Sequence, residues 1–448
     1  MGEFNHSSPH SPQSLTGDAH QQELPRELGF VSALAIGVGT MIAAGIFTLS
    51  GLAVQQVGSG AVISFIIAAC VALFTALSYC EFSSLYPTSG EGYLYAHKSL
   101  TPTLAWVVGF SLLLGYTASC AFYLSSLSEY FQEFIYHAPW QPIFGLIALA
   151  LLTMLNLKGS KESSTFQIVV TAAKVILLVW FVVGGLNEIN VAEISARLET
   201  DLIKLTSTAA MVFITFFGFS AIAASAGEIQ SPTKTIPRAI FWSMGIVSVL
   251  YIAVVLVVIV AKLTTYDERA MGFAAEFFLG PIGQKVIVGG AIFSMLSAAN
   301  ASVMAGSRVI FAMSQQLHLP RGLSRVSSIH KTPTNAVLMT GGLIGGFSLI
   351  FNLEDLAHYA DAVLLVALSM VNLALIIHRR RYPQLERPFK VPLVPLLPIL
   401  GICANLYLIV IQVRLHPVPF TAGLSTLLIG WAVFLITTSK ASPIHVES

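Results

Sequence analysis

The chain is a succession of long apolar stretches separated by short polar links. Most of these stretches approach or exceed the roughly 20 apolar residues that a helix needs to cross a bilayer. They run at 29–54, 60–80, 103–131, 141–157, 164–185, 206–227, 239–261, 284–313, 335–351, 356–377, 392–413 and 419–437. A β-barrel is excluded, because its strands would alternate in hydrophobicity over about ten residues. The pattern predicts an all-α polytopic membrane protein with about 12 transmembrane helices.

Composition supports this fold class and excludes others. Of the 448 residues, 55% are hydrophobic and only 10% are charged, against about 25% charged residues in a typical soluble domain. The net charge of +1 provides no strong field to attract phosphates, so nucleic acid is not an expected partner. The expected surroundings are a lipid bilayer, in which helices satisfy their own backbone hydrogen bonds.

The distribution of charge predicts the topology. Residues 1–28 are polar and aperiodic and predict a flexible N-terminal tail, 29–437 form the transmembrane domain, and 438–448 form a C-terminal tail. With the N-terminus in the cytoplasm, 16 Lys and Arg residues fall inside and 6 outside. This bias fits the positive-inside rule with both termini cytoplasmic, in the plasma membrane or a bacterial inner membrane.

Two of the predicted spans carry glycines near their centres. The first span contains three glycines and two alanines at 37–47, and the sixth contains Gly218 among aromatic residues. Small residues often serve helix packing alone. Their positions favour another interpretation, because spans one and six correspond if the chain contains two inverted halves, at about 29–185 and 206–377, with peripheral helices at 392–437. Paired interrupted helices indicate the central site of a transporter.

An interrupted helix offers two kinds of backbone group to a ligand. Its free N–H groups attract a carboxylate and its free carbonyls attract an ammonium. A zwitterionic amino acid carries both charges about one residue's width apart. The two glycine-containing spans therefore favour an amino acid as the substrate.

Five ordered motifs resemble the amino acid–polyamine–organocation superfamily of permeases, and together they cover nearly all of residues 26–414. They are TMIAAGIFTLSG at 40–51, ALSYCEFSSLYPTSGEGYLY at 76–95, FFGFSAIAASAGEIQSPTKTIPRAI at 216–240, LSAANASVMAGSRVIFAMSQQLHLP at 296–320 and RPFKVPLVPLLPILG at 387–401. The resemblance implies a five-plus-five inverted repeat with interrupted helices 1 and 6 and two peripheral helices. It also implies secondary active transport by alternating access.

The same resemblance implies where a substrate ammonium would bind. The carbonyl of Met41 would accept from it, together with the carbonyls of Ile214 and Phe217 and with Gly218 beside them.

The carboxylate would bind at the first-span motif, on the amides of Ala44 and Gly45 with Ala43 next to them. Phe216 and Phe217 are candidates for a gate that covers the substrate.

Lys174 lies near the centre of the fifth span, where a lysine costs about 2.5–3.5 kcal/mol on insertion scales. It could be a structural lysine bound to carbonyls, or its proton state could follow the transport cycle. The resemblance suggests that its ammonium replaces the sodium ion that some relatives bind between spans one, five and eight. The expected partners are the carbonyls of Gly37 and Gly39 and the hydroxyls of Ser294 or Ser297.

The predicted function is proton-coupled symport of a neutral amino acid. The central spans lack a mid-membrane carboxylate, since Gly115 and Ser220 stand where relatives often have acids. A sodium-independent exchanger or a uniporter is the alternative, and a cationic amino acid or polyamine carrier is a further one. No enzymatic activity and no cofactor are expected.

Other ionisable and sulfur-containing residues suggest no additional chemistry. The histidines fall outside the span centres, so neither a histidine proton relay nor a metal site is expected. The loop at about 132–140 contains no cysteine, so no disulfide-linked heavy chain is expected. Glu81 and Glu228 lie near cytoplasmic ends of spans and predict salt bridges there, and Asp361 is a candidate outer gate residue.

Overall fold

The protein is almost entirely helical in a computed structural model that describes residues 26–88, 90–158, 164–189, 198–327 and 332–440. The α-helices are α1 (Phe30–Met41), α2 (Ala44–Val57), α3 (Ala61–Leu85), α4 (Glu91–Ser99), α5 (Pro102–Phe134), α6 (Ile143–Leu157), α7 (Ser164–Gly185), α8 (Leu202–Phe213), α9 (Phe219–Ala224), α10 (Pro232–Val260), α11 (Ala270–Gln315), α12 (Thr334–Ile350), α13 (Leu353–Arg381), α14 (Leu396–Leu415) and α15 (Pro417–Lys440). The described residues contain isolated β-bridges at Leu28–Ile229 and Gly58–Leu198 but no strand.

Within the described ranges, ten helical segments are long and apolar enough to cross a membrane. Two shorter apolar helices, α6 and α12, have 15 and 17 residues. These segments overlap the twelve predicted stretches. The prediction of an all-α polytopic membrane protein is confirmed, whereas the exact number of spans stays a prediction. The inverted repeat stays a prediction. The predicted tails at 1–28 and 438–448 fall largely outside the described residues.

Two helices differ from the hydropathy pattern. Helix α11 begins at Ala270, before the predicted start at 284, and it bends at Gly280, whose φ of 70° is left-handed. Pro281 follows directly and has no N–H to continue the hydrogen-bond ladder. The short helix α4 lies between two spans, and its mixed polarity hid it from a search for apolar stretches.

Burial is uneven among the helices and identifies the centre of the bundle. In the most apolar part of α5, 89% of the residues are buried, against 33% in α14. The α1–α2, α8–α9 and α13 segments are also largely buried. The two glycine-interrupted segments therefore lie in the interior, as a central site requires.

Candidate functional site

The first span breaks between α1 and α2. Ile42 and Ala43 leave the helical conformation, with φ/ψ of −72°/79° and −123°/−155°. No side chain caps the amino end of α2, so the amides of Ala44 and Gly45 are first-turn N–H groups without an intrahelical acceptor. These groups give the start of α2 a partial positive charge directed at the break. The glycines Gly37 and Gly39 precede the break rather than form it.

Neighbouring helices bind the carbonyls at this break. The hydroxyl of Tyr251 on α10 donates to the Met41 carbonyl, which also accepts from the amide of Ala43 at 2.8 Å. The hydroxyl of Ser294 on α11 donates to the Ile42 carbonyl at 2.6 Å. The Met41 carbonyl, predicted to bind a substrate ammonium, is thus already an acceptor in this conformation. A ligand ammonium there has to share this carbonyl or displace Tyr251.

The sixth span is interrupted by a tight 3-10 turn and not by an unwound segment like that of the first span. A 3-10 turn at Ile214–Phe216 separates α8 from α9. The Ile214 carbonyl accepts from the Phe217 amide at 3.2 Å, and the Phe217 carbonyl accepts from the Ser220 amide at 3.0 Å. Both predicted acceptors therefore have local partners here, and a small unwinding of this turn would release them.

Gly218 allows the two interrupted spans to touch. A Cβ at Gly218 would lie 2.6 Å from the backbone nitrogen of Met41, a distance that a methyl group cannot adopt. The hydroxyl of Thr40 donates to the Gly218 carbonyl at 3.0 Å and so joins the two segments. Gly45 is just as close to the 3-10 turn Ile214–Phe216, since a Cβ at Gly45 would lie 2.3 Å from Thr215 Cγ2.

A narrow cavity of about 40 Å³ lies beside the two breaks, with space for a few water molecules but not for an amino acid. Its walls bear six hydroxyl groups and no charged side chain, and its lining residues are Thr40, Tyr116, Ser119, Tyr123, Phe217, Gly218, Ser220, Ala221, Ala298, Ala301, Ser302 and Ala305.

Of the predicted site residues, Phe217 and Gly218 line the cavity. Met41, Ala43, Ala44, Gly45 and Ile214 are buried around the breaks without lining it.

The candidate gate Phe216 points into an aromatic cluster. Its ring centroid lies 5.3 Å from that of Tyr251 and 6.5 Å from that of Phe65. Phe217, in contrast, faces Tyr116 across the cavity lining, with ring centroids 5.5 Å apart.

Lys174 is buried on α7 and donates to the Gly39 carbonyl at 3.0 Å. One turn earlier, the hydroxyl of Thr171 donates to the Ala35 carbonyl at 2.9 Å. These two contacts join α7 to α1 just before its break. Ser294, an expected partner of Lys174, donates to the Ile42 carbonyl, so the lysine and the serine bind carbonyls on either side of Met41.

A buried acid next to the cavity was not predicted from the sequence. Glu91 is 2% exposed, and its carboxylate accepts a 2.7 Å hydrogen bond from the hydroxyl of Tyr116, which lies 3.1 Å from the hydroxyl oxygen of Ser220. Burial raises the pKa of Glu91 to about 8, although the hydrogen bond from Tyr116 opposes this increase. Its φ of 37° is unusual for a residue with a side chain. Such strain often accompanies a functional position.

A signal for Glu91 was present in the sequence. It is the acid in the TSGEGYLY segment, placed between two glycines just outside an apolar stretch. Hydropathy alone assigned this segment to a polar link, because the pattern of apolar residues does not show that α4 packs against α5.

Asp361 is a further buried acid of the interior. It lies on α13 with 0% exposure; no described residue makes a hydrogen bond of good geometry to either carboxyl oxygen, and the backbone amide of Ile214 is a polar group that interacts with this carboxyl. Leaving a buried polar group unpaired is costly, so Asp361 is a candidate for a group whose surroundings change during function.

The acids at the predicted cytoplasmic ends form salt bridges, as the sequence suggested. Glu81 is fully buried and accepts from Arg379 and from Arg387, the latter at 2.9 Å. Glu228 lies 3.7 Å from Arg308 in a more exposed pair. These contacts connect α3 to α13, and the end of the sixth span to α11.

A buried helical interior, a broken span with uncapped amides and a small uncharged cavity are typical of a membrane permease, a protein that moves a small molecule without changing it chemically. The chain belongs to the amino acid permease family, whose sequence profile matches residues 28–437. Family membership confirms the resemblance found in the sequence motifs.

Named relatives cover most of the chain. It is 30% identical over 415 residues to the methylthioribose transporter of Bacillus subtilis (strain 168), spanning 87% of this chain and 90% of the relative. It is 29% identical over 454 residues to the branched-chain amino acid permease BcaP of the same organism, spanning 96% and 97%. It is 27% identical over 384 residues to the vacuolar cationic amino acid transporter 4 of Arabidopsis thaliana, spanning 80% and 64%. These relatives are transporters rather than enzymes, as predicted.

Proposed function

We propose that the protein is a secondary active transporter of a neutral amino acid, with branched-chain side chains as the preferred class. The observation that carries this proposal is the absence of charged side chains from the described cavity lining beside the break at Ile42–Ala43. A cationic side chain buried there would have no counter-charge, which is unfavourable. The similarity to a branched-chain amino acid permease supports the same class.

The substrate backbone binds across the two breaks. Its carboxylate binds the amides of Ala44 and Gly45, with Ala43 adjacent, because no side chain caps these groups. Its ammonium binds the carbonyls of the first and sixth spans after the turn at Ile214–Phe216 loosens. Since the cavity is too small for an amino acid in this conformation, binding requires such an opening, with Phe217 and then Phe216 as gate residues.

Transport is proton-coupled symport by alternating access. Lys174 bound to the Gly39 carbonyl is the first candidate for the coupling group, because deprotonation would release α7 from α1 next to the break. Glu91 is the second, since Tyr116 connects it to the cavity. A sodium-independent exchanger or a uniporter is the alternative, in which the Lys174 ammonium only replaces a bound cation.

The protein works in the plasma membrane or a bacterial inner membrane with both termini in the cytoplasm, as the charge bias indicates. Its partners are the substrate, protons and the lipid bilayer.

A specific observation also favours a second substrate class. Six hydroxyl groups line the cavity, and hydroxyls suit a polyhydroxy ligand as well as water. One relative is a methylthioribose transporter, so a thiosugar is the second candidate.

Competition for radiolabelled leucine uptake into proteoliposomes tests the proposal. Unlabelled isoleucine and valine should compete, whereas lysine and methylthioribose should not. Leucinamide and N-acetyl-leucine should also fail, because each lacks one of the two charges that the breaks bind. Uptake of methylthioribose or lysine in preference to leucine would overturn the neutral amino acid assignment. Competition by leucinamide would overturn the carboxylate contact alone.

A further inference from the structure

Three metal-ligating side chains meet at the end of α13 that the topology places outside. Glu354 and His358 lie one turn apart on the same face of α13, and His416 lies in the link between α14 and α15. The two imidazole rings are stacked with centroids 4.0 Å apart. One ligand atom from each residue lies within 4.8 Å of the others. Two side chains of α13 and one from the link between α14 and α15 thus lie close together.

His358 is an unusual member of this group. Its side chain is 1% exposed, and neither ring nitrogen has a hydrogen-bond partner in the described part of the chain. Its Nε2 atom lies 3.7 Å from Oε1 of Glu354, within the distance of an ion pair but too far for a hydrogen bond. Buried polar groups in native proteins almost always have a partner. A bound cation would provide the missing partner for this imidazole.

The carboxylate of Glu354 is oriented by other residues. The side-chain Nε2 of Gln56, at the end of α2, donates to Oε1 of Glu354 at 3.3 Å. The hydroxyl of Thr208 on α8 donates to Oε1 of the Gln56 side chain at 2.9 Å and fixes the direction of that side-chain amide. Outer contacts of this kind hold first-sphere ligands in place in metal sites.

We propose that Glu354, His358 and His416 bind a zinc-like divalent cation at the outer face of the transporter. Two imidazoles and one carboxylate suit Zn²⁺ and neighbouring late transition metals, whereas Mg²⁺ and Ca²⁺ prefer oxygen ligands only. Three protein ligands leave a fourth position for water. The sequence predicts no metal site, because the histidines lie outside the span centres, but the fold brings two of them together at a helix end.

Occupancy of this site slows transport. The cation joins α13 to the α14–α15 link, and Gln56 joins the same cluster to α2, the second half of the broken first span. Alternating access requires one part of the bundle to move against another, and a metal bridge at this junction restrains that movement. This inference concerns regulation and goes beyond the proposed substrate and coupling.

Binding is tested on purified protein without a histidine tag, by calorimetry with Zn²⁺ and by the d–d absorption of Co²⁺. His416→Ala should weaken binding about tenfold or more, because one ligand is lost. His137→Ala, at an exposed histidine outside the cluster, should bind as the wild type does. His416 lies in a partly exposed link, so an unchanged metal-free melting temperature verifies folding. Equal affinity of the wild type and His416→Ala would overturn the site.

Regulation is tested by uptake with Zn²⁺ added outside. Zn²⁺ should reduce wild-type uptake several-fold, EDTA should restore it, and His416→Ala should be insensitive. If Zn²⁺ binds but does not change uptake, the metal site stands and the regulatory role is overturned. Calorimetry needs no substrate, so its result is independent of whether the amino acid assignment holds.

Discussion

The hydroxyl of Tyr116 donates a 2.7 Å hydrogen bond to the buried carboxylate of Glu91. Tyr116 also lines the central cavity, and its oxygen lies 3.1 Å from that of Ser220. A titratable group outside the membrane-spanning helices is thereby connected to the cavity through one side chain. Tyr79 and Tyr95 are the other titratable groups close to this carboxylate, and neither supplies a positive charge to stabilise its ionised form.

We predict that pH affects the stability of the wild type more than that of Glu91→Gln. Because the folded pKa of Glu91 is raised from 4.5 to about 8, the unfolded chain loses this proton first as pH rises. The stability contributed by protonated Glu91 is complete below pH 4.5 and is lost as pH rises through about 8. Melting temperatures in detergent between pH 4.5 and about pH 8 measure this loss of stability. Glu276→Gln, at an exposed glutamate, is the control. Parallel curves for wild type and Glu91→Gln would contradict the prediction.

Tyr116→Phe should shift the pH dependence of uptake. The hydrogen bond from Tyr116 favours the ionised form of Glu91, so its loss raises the carboxyl pKa further. The midpoint of a Glu91-dependent uptake curve should move up by about one pH unit. Tyr123→Phe removes another cavity hydroxyl and is the matched control. If both variants keep the wild-type midpoint, Glu91 does not control transport.

Glu81→Gln should destabilise the fold far more than Glu228→Gln. Glu81 is fully buried between Arg379 and Arg387, and Arg387 itself is 5% exposed. Removing one partner of a buried ion pair leaves an uncompensated charge and costs about 3–5 kcal/mol. The Glu228–Arg308 pair is partly exposed at 3.7 Å, and such pairs contribute about 0–1 kcal/mol. Thermal unfolding of the two variants compares them directly, and similar losses would show that the Glu81 carboxylate is not the stabilising group.

The fold could be predicted from the sequence because lipid imposes length and apolarity on every spanning helix. The same reasoning located the interrupted spans, and the break at Ile42–Ala43 falls inside the predicted segment at 37–47. Gly37 and Gly39 stay helical because they serve close packing, as shown by Gly39, where a Cβ would lie 2.3 Å from Thr171 Oγ1. The helix ends instead at Met41, whose carbonyl Tyr251 binds from α10. No local pattern contains that long-range partner.

Some of the buried ionisable groups could be recognised from the sequence, and others only from the structure. Lys174 could be found from the sequence, since a charge among apolar residues is conspicuous, and its contact with the Gly39 carbonyl is present. Hydropathy did not show that Glu91 and the cluster around His358 are buried, because their burial results from α4 packing on α5 and from two helix ends meeting. Contacts of this kind depend on tertiary structure and leave no periodic pattern of hydrophobic residues in the sequence.

Gly218→Ala should impair transport, whereas Gly245→Ala should not. A methyl group at Gly218 would lie 2.6 Å from the Met41 nitrogen and force the two broken spans apart. Gly245 lies on α10 with nothing within 4 Å of the corresponding position, and replacing glycine by alanine in a helix stabilises by about 0.5–1 kcal/mol. Uptake and melting temperature of the two variants test this pair. Wild-type uptake by Gly218→Ala would show that the spans do not need this close approach.

Lys174 provides the test of coupling. If its proton moves during the cycle, Lys174→Ala should remove the response of uptake to an imposed proton gradient while substrate binding persists, because the amides at Ala44 and Gly45 are separate from it. If the ammonium only replaces a bound cation, the same variant should lower uptake at every pH.

The matched control for Lys174→Ala is Thr171→Val. Thr171 binds the Ala35 carbonyl from the same helix, so Thr171→Val weakens the α7–α1 contact without removing a charge. A purely structural lysine would give both variants the same loss of melting temperature and no change in the gradient response. Radiolabelled uptake into proteoliposomes, with and without an inward proton gradient, measures each case. Wild-type uptake that ignores the gradient but requires amino acid on the opposite side would contradict symport and establish an exchanger, because the driving force is then the counter-substrate rather than the proton.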